Sequence, residues 1–190
     1  ESPPLRWEPF RLKASWNIWR SGLAAIKDAV AGGQYEYPRG LFYGGTGPSK
    51  STQIVQMACD SWLAQSRRIV HIDFHSGLGP FSSYKLLLAE PAESANVSWY
   101  SDAFGAEHIE PLASPNGTAY TIKGLFGGWM QKHFQDREYR FVAAEFGTYD
   151  VIRVLSSIRA ENRAHHYSDP SAAAYQAAKR ELLECFCPAS

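Results

Sequence analysis

The 190-residue chain has little of what marks membrane, secreted or nucleic-acid-binding proteins. No run of about 18 apolar residues occurs, which excludes a helix long and greasy enough to span a bilayer. The opening stretch, ESPPLRWEPF, lacks the charged-then-apolar pattern of a signal peptide. It starts at Glu1 rather than a methionine, as expected of a processed or trimmed piece. Cysteine is scarce and odd in number (Cys59, Cys185, Cys187), so a disulfide framework is not expected. The same scarcity points to a reducing compartment, hence a cytoplasmic location. Excess charge is absent as well: 19 Lys and Arg balance 19 Asp and Glu, and the longest basic run is Arg67-Arg68. Neither nucleic acid nor an anionic membrane surface is therefore expected as a partner. Internal repeats, low-complexity tracts and long linkers are missing, so residues 1–190 read as one domain.

What is present is an ordinary globular composition, 45% hydrophobic and 20% charged. Helical spacing of apolar residues predicts helices over 14–33, 49–65, 125–134, 150–166 and 169–186. The second should place Ile54, Met57, Ala58 and Trp62 on one side, and the last should be capped by Asp169 with Pro170 in its first turn. Short apolar or alternating runs predict strands at 40–45, 67–75, 84–90, 118–124 and 139–148, with 91–117 the least regular loop, suited to covering a site. Strands alternating with helices define an α/β protein: a largely parallel or mixed central sheet with helices on both faces.

One stretch, GGTGPSKS from Gly44 to Ser51, comes within one residue of a phosphate-binding loop. The departure is decisive. Ser49 replaces the second fixed glycine, and Pro48 has no N–H to offer a phosphate. The loop reads instead as a turn into a helix capped by Ser49 or Ser51.

The chemistry concentrates in VHIDFHSGLGP. Alternation along a strand puts Val70, Ile72 and Phe74 on one face and His71, Asp73 and His75 on the other. His75 falls where the strand meets a glycine turn, and in open α/β sheets ligands bind beyond the carboxyl ends of strands. Glu145 interrupts the apolar strand FVAAEFGT in the same way, just before Gly147. A carboxylate there is costly unless it is paired, for example with Arg153 or Arg159, or used. If the two strands are neighbours, His75 and Glu145 converge at one rim. An imidazole and a carboxylate there suit a metal-bound water and its general base. Adjacent His165 and His166 point apart on a helix and read as C-terminal dipole partners rather than a metal pair. Cys185 and Cys187 read as ordinary thiols, and the serines lack a nucleophile-elbow context.

Taken together and in order, GQYEYPRGLFYGG, IDFHSGLGP, AEFGT and IRAENRAHH resemble a bacterial branch, of unknown function, of the zinc carboxypeptidase superfamily. That branch is related to the aspartoacylase and succinylglutamate desuccinylase deacylases. The resemblance spans about residues 15 to 188. It implies an amide-cleaving zinc hydrolase acting on a small peptide or an N-acyl amino acid. His75 would be the third zinc ligand, Glu145 the general base, and Asp73 the residue that orients the ligand.

The chain departs from the pattern upstream. The family's first two ligands form a His-x-x-Glu motif, yet no histidine precedes His71, and the Asn-Arg clamp for a substrate carboxylate is missing too. The resemblance therefore implies the C-terminal half of such a domain, a poor zinc binder and inactive by itself. It also implies self-association or docking to the other half through an exposed edge. The alternative is a non-catalytic module that kept the fold and lost the metal.

Overall fold

The computed structural model describes residues 9–10, 12, 15–16, 19–20, 32–90, 92–111 and 124–189. The helix expected over 14–33 lies largely outside them, and the strand over 118–124 almost entirely so. Within them, helix α1 (Lys50–Leu63) leads into strand β1 (Arg68–Ser76), and β2 (Tyr84–Leu88) follows. Next come helix α2 (Ala95–Phe104), a one-turn 3-10 helix and the short strand β3 (Ile109–Pro111). Helix α3 (Phe126–His133), strand β4 (Glu138–Phe146) and helices α4 (Val151–Tyr167) and α5 (Ala173–Phe186) complete the order.

The four strands form one sheet in the order β1-β4-β2-β3. β1 runs parallel to β4 and β2 parallel to β3, while β2 and β4 are antiparallel, so the sheet is mixed. Its two faces are filled separately. On one, Ile69, Tyr139 and Phe141 pack with Cys59 of α1 and Met130 and Phe134 around α3. On the other, Leu86, Leu88, Val142 and Ala144 pack against Tyr100 of α2. Helices thus cover both faces, as the alternation of elements requires. Gly127 makes the close approach of α3 possible: a Cβ there would meet the Phe141 ring at 2.3 Å. Helices α4 and α5 pack on each other, and α5 is tied to the end of β1 by Ser76 Oγ, which donates to the Phe186 carbonyl at 2.8 Å. Among the described residues no helix is long and apolar enough to cross a membrane.

Several expectations are corrected. Residues 40–45 are not a strand: the chain turns, and only Tyr43 makes a single bridge, to Gln34. The cause is local. The Gln34 side chain donates to the carbonyls of Tyr37 and Leu41 and accepts the N–H groups of Glu36 and Tyr37, offering the backbone a partner other than a neighbouring strand. Helix α1 buries Cys59, while Ile54, Met57 and Trp62 on the expected apolar side are exposed. Asp169 does not cap α5; its carboxylate accepts from Ser171 N–H and Oγ, and the helix starts after Ala172 with no side-chain cap. The 91–117 segment is not a plain loop, since it holds α2 and β3. The turn reading of Gly44–Ser51 holds: Ser49 Oγ accepts the Thr52 N–H at 3.1 Å and caps α1.

Candidate functional site

β1 and β4 lie side by side and in parallel, and both end at the same rim of the sheet. Their register pairs Asp73 with Ala143 and His75 with Glu145. Register partners on parallel strands project to the same face, so Asp73, His75 and Glu145 share one side of the sheet. His75 Nε2 lies 3.0 Å from Asp73 Oδ2, and its Nδ1 lies 3.9 Å from Glu145 Oε2. The imidazole is thus held between two carboxylates, one on each ring nitrogen. Its side chain is 46% exposed, whereas that of Glu145 is 7% exposed.

The turns beyond the two strands lock into each other. Gly77 N–H donates to the Phe146 carbonyl at 3.0 Å, Gly147 N–H to Ser83 O at 2.9 Å, and Ser82 N–H to Gly147 O at 3.2 Å. Gly77 and Gly79 adopt φ values of 127° and 111°, a region that favours glycine, and this folds Ser76–Pro80 back over the end of β4. That path aims the Leu78 N–H at Glu145 Oε1, 3.0 Å away. Burial pushes the Glu145 carboxyl above the ordinary glutamate range, opposed by the Leu78 N–H and by His75. A buried carboxyl raised in this way sits nearer to neutrality as a proton acceptor.

On its other flank Glu145 has Lys85 of β2 as register partner, with Nζ donating to the Glu107 carbonyl at 2.6 Å. Neither Lys85 nor the Leu78 N–H stood out in the sequence. Alternation places a lysine on a face, but which strand lies opposite is set by the sheet order. Arg153 does not pair with Glu145: its guanidinium bonds Glu181 at 3.0 Å and covers the Tyr149 ring. His71, on the same face as His75 but deeper, is a packed histidine, bonded to Tyr139 Oη at 2.9 Å and set edge-on to Phe141. His165 and His166 occupy the last turn of α4, where cations favour the helix dipole. Cys185 is buried and Cys187 exposed, and both are free thiols.

A catalytic zinc takes three protein ligands converging on one point. Asp73 and Glu145 lie on opposite nitrogens of one ring, so these three residues do not converge as such a cage. They fit one corner of it: an imidazole nitrogen beside a buried carboxyl, with the other nitrogen already held by Asp73.

The fold and this rim define an α/β protein with an imidazole–carboxylate pair at the carboxyl end of two parallel strands. The family model described as protein of unknown function (DUF2817) matches residues 2–190, and the chain belongs to that family. No curated protein and no solved structure matches the chain.

Proposed function

We propose that the chain carries one corner of a zinc-dependent amide hydrolase of the metallocarboxypeptidase or N-acyl amino acid deacylase type. The observation that supports this reading most is the buried Glu145 carboxyl 3.9 Å from His75 Nδ1, with Nε2 held by Asp73. Asp73 Oδ2 beside Nε2 keeps the ring proton on that nitrogen and leaves the Nδ1 lone pair as a ligand. Glu145 takes a proton from the attacking water and passes it to the leaving amine; its raised affinity for protons suits both transfers. Zinc, when bound, would supply Lewis acidity at the scissile carbonyl. The further ligands come from a segment added at the open edge of β1. That strand pairs only with β4 among the described residues, and its Val70 and Phe74 are exposed. In this reading the substrate is a small peptide or an N-acyl amino acid.

The non-catalytic reading has its own support, since the two carboxylates sit on opposite ring nitrogens rather than around one point. One experiment separates the two. The full-length gene product is purified, its zinc content measured, and hydrolysis of dipeptides and N-acyl amino acids followed for wild type, His75→Ala and Glu145→Gln. The hydrolase reading expects bound zinc and turnover that are both lost in His75→Ala, and turnover cut about 10²- to 10⁴-fold in Glu145→Gln. A zinc-free protein with no turnover leaves the module.

A further inference from the structure

A second group of metal-ligating side chains lies away from the rim, between two helices. Cys59 and Asp60 stand in the last turns of α1, and His133 ends α3. One donor atom from each lies within 4.8 Å of the other two. His133 Nε2 is 3.1 Å from both Asp60 carboxylate oxygens. The His133 ring is held in plane by stacking on Trp129, 4.9 Å between centroids and 14° apart, and by Phe134 edge-on. The Cys59 thiol belongs to the core cluster beneath and donates to the Gln56 carbonyl at 3.5 Å.

We propose that Cys59, Asp60 and His133 form a zinc site that clips α1 to α3. Thiolate, imidazole and carboxylate are the donor types zinc accepts, at bonds of about 2.0 to 2.3 Å. Such bonds place tetrahedral donors roughly 3.3 to 3.7 Å apart. The Asp60–His133 edge is already near that length, and drawing in the thiol takes a movement on the order of 1 Å. Binding breaks the Cys59 S–H bond: the sulfur keeps the electron pair as metal ligand, and the proton leaves to solvent. Asp60 and His133 reach solvent and provide the entry path, while the thiol closes the site from the core side. A fourth position is left for water.

The site is separate from the His75 corner, since Cys59 packs with Ile69 and Tyr139 at the start of β1 and β4 whereas His75 and Glu145 stand at their ends, and its readout does not depend on catalysis. Chelator-treated protein is titrated with Co2+ and followed by its thiolate-to-cobalt charge-transfer absorption, and zinc is then added to displace it. One equivalent should give the band. Cys59→Ser should abolish it, His133→Gln should weaken affinity at least tenfold, and Cys187→Ser should leave it unchanged. Should loss of the buried Cys59 thiol prevent folding, the exposed His133→Gln variant decides. The proposal is overturned by the absence of a charge-transfer band, by a band that survives Cys59→Ser, or by unchanged affinity in His133→Gln. Any of these leaves Asp60 and His133 as an ordinary hydrogen-bonded pair.

Discussion

The Leu78 backbone N–H donates to Glu145 Oε1 at 3.0 Å, so the turn after one strand holds the carboxyl at the end of its neighbour. This bond gives a buried acid a fixed direction while burial raises its proton affinity. Glu145→Gln keeps the Oε1 acceptor and loses the ionisation. Under the proposed chemistry, turnover by the full-length protein falls about 10²- to 10⁴-fold, the usual worth of a general base. A steady-state assay with a chromogenic N-acyl substrate checks it, and unchanged turnover removes Glu145 from the reaction.

The same carboxyl sets a pH dependence of stability. Its folded pKa is raised above the ordinary 4.5, so the folded state holds the proton more tightly than the unfolded chain. Its contribution is full below 4.5 and is lost as pH rises through the folded value. Glu145→Gln has no such term. Melting temperatures of wild type and variant across this range should diverge with rising pH, the variant gaining relative to wild type. Parallel curves would show the carboxyl to be unperturbed.

His71 moves in the opposite sense. Desolvation lowers it from 6.5, against the pull of Asp73. It is 2.9 Å from the Tyr139 hydroxyl, whose own pKa burial pushes up to about 12. The stability tied to the neutral ring is present above 6.5 and is lost as pH falls from there toward the folded value. An NMR titration of the ring protons should place the His71 midpoint below 6.5. Tyr139→Phe should cost about 1 kcal/mol, the net worth of a partly buried hydrogen bond.

Gly147 has no room for a side chain. A Cβ there would meet the Pro80 carbonyl oxygen at 2.0 Å and the Gly79 carbonyl carbon at 2.7 Å, both backbone atoms. Gly147→Ala should destabilise by about 3 kcal/mol, the upper end for overpacking, because backbone rather than a flexible side chain must move. Urea unfolding should show a lower midpoint at an unchanged slope.

Ser49→Ala removes the cap of α1 and should cost about 1 kcal/mol. Added ATP or GTP should leave the melting temperature of the wild type unchanged, since Pro48 and Ser49 spoil the phosphate cradle. A nucleotide-dependent shift would restore the phosphate-loop reading.

Much of the architecture was legible in order along the chain. Period-two alternation placed His71, Asp73 and His75 on one face of β1, and helical spacing delimited α4. These signals are local: strand pleating and helix geometry act over a few residues, so composition and spacing carry them. Local chemistry also misled where a side chain competed with the sheet. Gln34 bonded the backbone of the 34–44 segment, and the expected strand over 40–45 became a turn. On α1 the period was right and the side wrong, because the buried face is chosen by what packs against it, here α3 and the sheet around Cys59.

The meeting of His75 with Glu145 was written nowhere in either stretch. It required β4 to dock beside β1, in parallel and in a register that levels their ends; a slip of one residue would have turned the carboxyl to the opposite face. The third dimension likewise brought Lys85 beside Glu145 and His133 to Cys59 and Asp60. The sequence by itself determined that His71, Asp73 and His75 share one face of β1 and that Glu145 interrupts an otherwise apolar strand. Only the tertiary structure decided which of them are neighbours, because strand order, register and helix docking are settled by burial summed over the whole sheet rather than by any short run of residues.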